Sequence, residues 1–368
     1  MSHVYLHSPV LSQFGKTNKS YLELSVDVAK KSIQNFDKER IEFLIFSAFA
    51  PERYTQEFNL PAKIGDALGL ESIFCIRSET ASSSGASAIH LAKILLDSGK
   101  FKTGLVIGTE VMSRLNREEN NILLGSVLSQ KQISLSMSMA QGAALITNRY
   151  LNDFGYSKND LFPISKKLHD NGLKNPISHI KKNLSFDEYI QSPVFSSPLC
   201  LYDISPLSDG SCSIVVSSEV KSEFSIIGTG HGTGSFQSVD FGYSFTASKD
   251  AFRKAYNEGN ISPSEVDVAE LHDAFTTFEL IGAEDAGIFP KGEALKNVIG
   301  GVTHPNGKIP INPSGGLKTR GHPVGASGLA QIAEIIEFMK NAPNAEIGLT
   351  HSIGGLATNN FATLIKKA

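Results

Sequence analysis

Cysteine is scarce in this 368-residue chain: Cys75, Cys200 and Cys212 are the only three. Their odd number and scattered spacing argue against a disulfide framework and against a zinc site. Long hydrophobic runs are missing as well. No apolar stretch approaches the roughly 20 residues that span a bilayer, so no membrane association is expected. Charge of one sign does not dominate: 34 Lys and Arg against 37 Asp and Glu leave a net charge of -3. Such a balance offers no electrostatic footprint for nucleic acid or an anionic membrane surface. The first residues, Met-Ser-His-Val-Tyr-Leu-His-Ser, lack a basic segment followed by an apolar one, so no secretory signal is expected. The last, Ile-Lys-Lys-Ala, do not form a peroxisomal address. A reducing cytoplasm is the compartment these absences leave.

What is present reads as an ordinary globular α/β protein, 41% hydrophobic and 19% charged. The length suits two domains or one large duplicated one. Short β-rich runs at 43–46, 72–77, 104–108, 213–216, 225–228, 266–271 and 346–350 alternate with helical patterns. The helical patterns cover 21–34, 84–98, 140–153, 248–258 and 326–341. Leu91, Ile94 and Leu95 repeat at i, i+3, i+4, as do Ile332, Ile335 and Ile336, which places amphipathic helices on a sheet.

The chain also repeats itself. Gly85-Ala86-Ser87 matches Gly325-Ala326-Ser327, and Ile107-Gly108 matches Ile347-Gly348, both at an offset of 325 − 85 = 347 − 107 = 240. Ile89, Leu95 and Leu96 meet Leu329, Ile335 and Ile336 at the same offset. An internal duplication explains this, with an N-terminal half at 1–235 and a C-terminal half at 236–368. Two unrelated βα units sharing a Gly-Ala-Ser turn are the plainer alternative. A polar, irregular insertion is expected at 113–198, either a functional lobe or a solvated surface excursion.

Two segments carry candidate chemistry. Glu79-Thr-Ala-Ser-Ser-Ser-Gly-Ala-Ser87 joins a strand to a helix. A side chain at such a turn faces free N–H groups and the positive end of the helix dipole, which favours a developing anion. Helix capping alone would also explain these serines. The offset of 240 pairs Ser82 with His322, so pseudo-symmetric turns could bring a hydroxyl nucleophile to a histidine base. Gly315, Gly316, Gly321 and Gly325 around His322 fit a tight turn with close backbone approach.

The stretch Asn312-Pro-Ser-Gly-Gly-Leu-Lys-Thr-Arg-Gly-His-Pro-Val-Gly-Ala-Ser-Gly328 resembles the histidine loop of thiolases. Glu270-Leu-His-Asp-Ala-Phe-Thr276 and Leu201-Tyr-Asp-Ile-Ser-Pro-Leu-Ser-Asp-Gly210 resemble the archaeal and sterol-carrier-protein-type subgroup. Gly348-Leu-Thr-His-Ser-Ile-Gly-Gly355 is similar to the C-terminal loop, and Phe14-Gly-Lys16 fits the first strand. The resemblance covers essentially the whole chain. It implies a thiolase fold: duplicated βαβαβ halves in five layers, with an inserted loop domain over a coenzyme A channel. It implies acyl-CoA as substrate, coenzyme A only as part of that substrate, no metal, and a homodimer or dimer of dimers.

Carried over by position, Ser82 takes the place of the acyl-carrying cysteine and His322 that of its base. His272 would orient a water or donate to the thioester oxygen. The N–H groups of Ser82 and Gly354 would form a second oxyanion hole. Ser352 stands where a second cysteine shuttles a proton, with His351 beside it as a substitute. Both cysteines of an ordinary thiolase are therefore replaced, and an alcohol is far harder to ionise than a thiol. Cys75, in a strand-like run, is expected to be buried and inert. Ser83 and Ser84 remain alternative hydroxyls, although alignment through Gly85 favours Ser82. Three activities follow from the resemblance: an acyl-CoA C-acyltransferase or condensing enzyme, a non-thiolytic carbon–carbon lyase working with a small OB-fold partner, or a non-catalytic acyl-CoA-binding subunit.

Overall fold

Residues 3–235 and 242–368 are described by the computed structural model of the chain. The expected boundary at 235/236 abuts residues 236–241, outside the described residues. Eleven strands occur among the described residues: β1 (Val4–Leu11), β2 (Phe43–Ser47), β3 (Phe74–Ser78), β4 (Thr103–Val111), β5 (Val194–Ser196), β6 (Leu199–Cys200), β7 (Asp209–Ser217), β8 (Phe224–Thr233), β9 (Val268–Glu270), β10 (Ile347–Gly354) and β11 (Asn359–Lys367). Nine form one mixed sheet in the order β3-β2-β4-β7-β1-β8-β11-β10-β9, and β5 and β6 make a small hairpin.

The duplication is visible in this order. The seam is β1 against β8, only three residue pairs long: Val4 with Ile226, Tyr5 with Ser225, Leu6 with Phe224. Outward from it the two sides run β1-β7-β4-β2 and β8-β11-β10-β9. Antiparallel β7–β4 matches antiparallel β11–β10, and parallel β4–β2 matches parallel β10–β9. Helix Ser84–Asp97 leads into β4, and helix Ser327–Asn341 leads into β10. The two expected sheets are thus joined along one short seam.

Burial of apolar faces explains the layers. The helices Ser84–Asp97 and Ser327–Asn341 share one core, in which Ile89, Leu96, Leu329, Ile332 and Ile336 pack with Phe43, Val106 and Ile214 of one half and Val268 and Ile365 of the other. Each such side chain stabilises by about 1.5–3 kcal/mol when fully buried. These two helices are the middle layer. They can approach because their crossing is built of small residues: a Cβ on Gly328 would lie 2.3 Å from the Ala86 nitrogen. Outside one half-sheet lies helix Tyr21–Ile33, with Leu24 and Val28 against Leu44, Phe46 and Leu105. Outside the other lies helix Thr246–Gly259, with Ala251, Phe252 and Ala255 in the core of Leu349 and Leu364. The result is five layers, helix–sheet–helix–sheet–helix. No helix among the described residues is long and apolar enough to cross a membrane.

Three expectations need correction. The segment at 113–198 is mostly helical rather than irregular, holding Arg117–Gly125, Gln130–Ser134, Met139–Phe154, Phe162–Lys174 and Phe186–Ile190. Capping boxes start several of them, at Asn116/Glu119, Ser129/Gln132, Ser138/Gln141 and Ser185/Glu188. Phe14-Gly-Lys16 follows the first strand instead of lying in it, because Gly15 turns the chain at φ 136°. Cys75 is only half-buried, since β3 is the edge of the sheet.

Candidate active site

The turn between β3 and helix Ser84–Asp97 is held by its own hydroxyls. Ser83 Oγ donates to the Thr80 carbonyl at 2.7 Å and to the Asn359 carbonyl at 2.8 Å. Ser84 Oγ accepts from the Thr80 N–H at 2.9 Å and donates to the Ala81 carbonyl at 2.6 Å. Ala81 adopts φ 53°, a left-handed conformation that a residue with a Cβ adopts at a cost. That bend turns Ser82 out of the network. Its hydroxyl makes no hydrogen bond among the described residues, and it lines a cavity of about 600 Å³. Of the three serines, Ser82 is the one free to meet a ligand.

The opposite turn, at 312–328, is held from outside by buried acids. Asn312 accepts from the Leu271 N–H at 2.7 Å and donates to Glu279 Oε2 at 2.8 Å. Glu270 binds the N–H and hydroxyl of Ser314 at 3.0 and 2.9 Å. Asp273 takes the N–H groups of Leu317 and Lys318 at 2.7 and 3.1 Å. Glu110 of β4 takes the Gly325 N–H at 2.8 Å and the Phe49 N–H at 2.7 Å, while Tyr21 donates to its other oxygen at 2.5 Å. Burial raises Glu110, Glu270 and Asp273 to about 7 each, against the hydrogen bonds that favour their charged forms.

This scaffold orients His322. Ser327 Oγ donates to the Pro323 carbonyl at 2.9 Å, so toward the imidazole it can only accept. That arrangement favours the tautomer with its proton on Nδ1, 2.7 Å from Ser327 Oγ, which leaves a lone pair on Nε2. Burial, then the nearby Arg320 charge, lowers His322 to about 3, so the ring is neutral at ordinary pH. The His272 ring meets it edge-on, centroids 5.2 Å apart and planes at 86°. Burial, then the neighbouring imidazoles of His322 and His351 and the Arg320 charge, holds His272 well below the usual imidazole range. Ser82, His272 and His322 all line the same cavity. A neutral base, a second imidazole and an uncommitted hydroxyl in one apolar-walled chamber suit nucleophilic attack on a carbonyl.

The remaining expected residues stand apart from the chamber. Along β10, side chains alternate between faces. Ser352 Oγ donates to Gln331 Oε1 at 2.6 Å, toward the middle-layer helix. His351 points the other way, with Nε2 3.0 Å from Ser248 Oγ and its ring 4.6 Å from that of Phe252. Neither lines the cavity. Gly354 lies against the Ser82 turn: a Cβ there would stand 2.5 Å from the Thr80 carbonyl oxygen and 2.7 Å from Ser83 Oγ. The next residue, Gly355, reaches the cavity wall. Cys200 and Cys212 are buried, none of the three cysteines lines the chamber, and burial raises all three thiols.

Several lining residues escaped sequence reading. From the 113–198 segment come Arg117, Met139 and Phe195, with the Arg117 guanidinium 4.3 Å above the Phe195 ring. Tyr202 and Lys318 also line the wall. The signal for Lys318 was present, a lysine four positions before His322, but lysines are ordinarily solvated. Arg320 is fully buried and lies 3.7 Å from Glu270 Oε2, and its three nitrogens make no hydrogen bond among the described residues.

A duplicated five-layer fold, with facing hydroxyl and imidazole turns at its centre, is the architecture of a thioester-handling enzyme class. Comparison makes this specific. The thiolase N-terminal domain matches residues 8–220, and the thiolase C-terminal domain-like family matches residues 228–367. The chain belongs to the thiolase family. It is 28% identical over 322 residues to acetyl-CoA acetyltransferase of Methanothermobacter thermautotrophicus, covering 82% of each chain. It is 31% identical over 297 residues to benzoylsuccinyl-CoA thiolase subunit BbsB of Thauera aromatica, covering 76% of each. A solved Ltp2-ChsH2(DUF35) aldolase superposes with a TM-score of 0.83 at 17% identity, covering 100% of this chain and 98% of that one.

Proposed function

We propose that this protein is an acyl-CoA C-acyltransferase or condensing enzyme in which Ser82 carries the acyl group. The observation that supports it most is the placement of Ser82, His272 and His322 on one chamber, with His322 neutral and its Nε2 lone pair free. Ser82 Oγ attacks the thioester carbon while His322 Nε2 takes the hydroxyl proton. The carbon–sulfur bond then breaks, and the same proton passes to the departing thiolate of coenzyme A. His272 donates to the oxyanion, together with N–H groups at the Ser82 and Gly354 backbone. An acyl-serine is an oxygen ester, so onward transfer is slower than from a thioester. The protein would work in the cytoplasm as a homodimer. Mixing the protein with an acyl-CoA and detecting free thiol tests the first step. Release of one equivalent of coenzyme A, lost in His322→Ala, is expected; no release above the uncatalysed background would contradict it.

A second reading draws support from Ser352. Its hydroxyl is committed to Gln331 and His351 faces the other side, so the usual proton-shuttle position offers the chamber no base. A non-thiolytic carbon–carbon lyase needs only the two imidazoles. It would form no acyl-serine and would act with a small OB-fold partner, as the likeness to an aldolase that includes a DUF35 component invites. Formation of an aldehyde or ketone without an adduct would favour it. A non-catalytic acyl-CoA-binding subunit would show neither product nor adduct.

A further inference from the structure

Lys318 is a charged side chain for which the acyl-transfer chemistry has no use. It is 2% exposed, yet it lines the same chamber as Ser82 and His322. Its ammonium makes no hydrogen bond and no ion pair among the described residues; the one contact is the Tyr202 ring, 6.0 Å from its nitrogen to the centroid. The other deeply buried lysines are treated differently. Lys167 is paired with Glu279 and with the Ile311 carbonyl at 2.9 Å. Lys93 is paired with Asp97 and Glu258.

The two carboxyls whose charges act on Lys318, Asp203 and Asp273, make their hydrogen bonds elsewhere. Asp203 receives the Tyr189 hydroxyl at 2.9 Å, the Thr276 hydroxyl at 3.1 Å and the Cys200 N–H at 2.9 Å. Asp273 receives the backbone N–H groups of Leu317 and Lys318. A buried cation that no group of the protein hydrogen-bonds is unfavourable, so one that reaches a ligand chamber marks a group that a ligand can complete. Burial lowers Lys318 to about 8, with Asp203 and Asp273 opposing, which leaves the amine mostly protonated at neutral pH.

We infer that Lys318 recognises a carboxylate on the acyl group, so that the preferred substrates are CoA thioesters of dicarboxylic acids. This rests on the proposal that the chamber receives a CoA thioester. The phosphates of coenzyme A are a less suitable match, because the pantetheine arm holds them far from the thioester. The exposed Arg117, on the wall from the 113–198 segment, answers them better. Methylene groups of the acyl chain would lie along Ile204, Phe275 and Phe278, which share the wall.

The test uses the full chain carrying Ser82→Ala, which binds without turnover. Dissociation constants are measured for glutaryl-CoA and adipyl-CoA beside valeryl-CoA and hexanoyl-CoA. A charge-assisted hydrogen bond predicts a preference of about tenfold or more for the carboxylated member of each pair. Adding Lys318→Met should erase that preference while leaving the neutral thioesters as tightly bound, and Lys318→Arg should keep part of it. Equal binding within each pair, or a preference that survives Lys318→Met, overturns the inference while leaving the acyl-transfer proposal intact. Failure of all four thioesters to bind overturns both. Borohydride trapping of a β-ketoacyl-CoA on Lys318 in the otherwise unaltered protein would assign the amine to carbonyl adduct formation instead, and also overturn it.

Discussion

The turn carrying Ser82 and the turn carrying His322 occupy equivalent places in the two halves, yet they are secured in opposite ways. The first is tied by its own hydroxyls, Ser83 and Ser84, which bond Thr80 and Ala81 nearby, with one long-range tie from Ser83 to the Asn359 carbonyl. The second is tied by carboxylates reaching in from β4, β9 and the segment after it. A locally built turn leaves one hydroxyl unengaged and places it at the chamber. An externally braced loop holds an imidazole at the same chamber. One fold unit, used twice, thus puts a hydroxyl on the chamber in one half and an imidazole in the other.

Removing the base should have the largest effect. His322→Ala should slow acylation about 10²–10⁴-fold, read by single-turnover release of coenzyme A. Retained rates would break the pairing of the two turns. The pH profile sharpens the same point. Because burial lowers His322 to about 3, the ring stays in its basic form well below pH 6.5, so acylation should run flat from about pH 5 to 8. A limb centred near 6.5 would show an imidazole with its ordinary titration.

Bracing comes next in size. Glu110→Ala strips the acceptor from Gly325, Phe49 and Tyr21 and should destabilise by about 3 kcal/mol or more, measured by denaturant unfolding. Glu110→Gln offers a sign test. The carboxyl is raised to about 7 when folded and titrates near 4.5 when unfolded, so between those values the folded state holds more protons. Stability from this group is therefore highest on the acid side and falls as pH rises toward 7. The Gln variant should gain relative to the parent as pH climbs through that window, and an opposite trend would contradict the burial argument.

Local ties should matter less. Ser83→Ala should cost about 1–2 kcal/mol of stability, whereas Ser82→Ala should leave stability nearly unchanged and abolish acylation. The smallest effect is expected at Ser352. Ser352→Ala removes a hydroxyl bonded to Gln331 away from the chamber, so coenzyme A release should change less than about threefold.

Much of this architecture was legible because its signals are local and periodic. The repeats through Gly85 and Gly325 foretold the matching helices, and the apolar spacing at Ile332, Ile335 and Ile336 foretold a helix packed on the sheet, while its place between two sheets came from the resemblance. The capping boxes at Ser129, Ser138 and Ser185 were equally readable, but the helices they open are polar outside and partly short, so the segment read as irregular. β11 was passed over because two asparagines open it and two lysines end it, although its middle pairs on both sides with β8 and β10. Within the site, Ser82, His322 and His272 were recoverable from turn chemistry and resemblance. The bracing by Glu110 and the burial of Lys318 at the chamber wall were not, because each depends on neighbours at a distance no spacing encodes. That His351 and Ser352 face opposite sides of the sheet follows from strand alternation, but that neither reaches the chamber depends on where β10 lies in the fold.

The most direct test of the central claim is intact-mass analysis of the protein after brief exposure to acyl-CoA, followed by peptide mapping of any added mass. The account predicts an acyl group on Ser82, present in Ser83→Ala and missing in both Ser82→Ala and His322→Ala. Bound acyl-CoA with no adduct at Ser82, or an adduct on another residue, would contradict it.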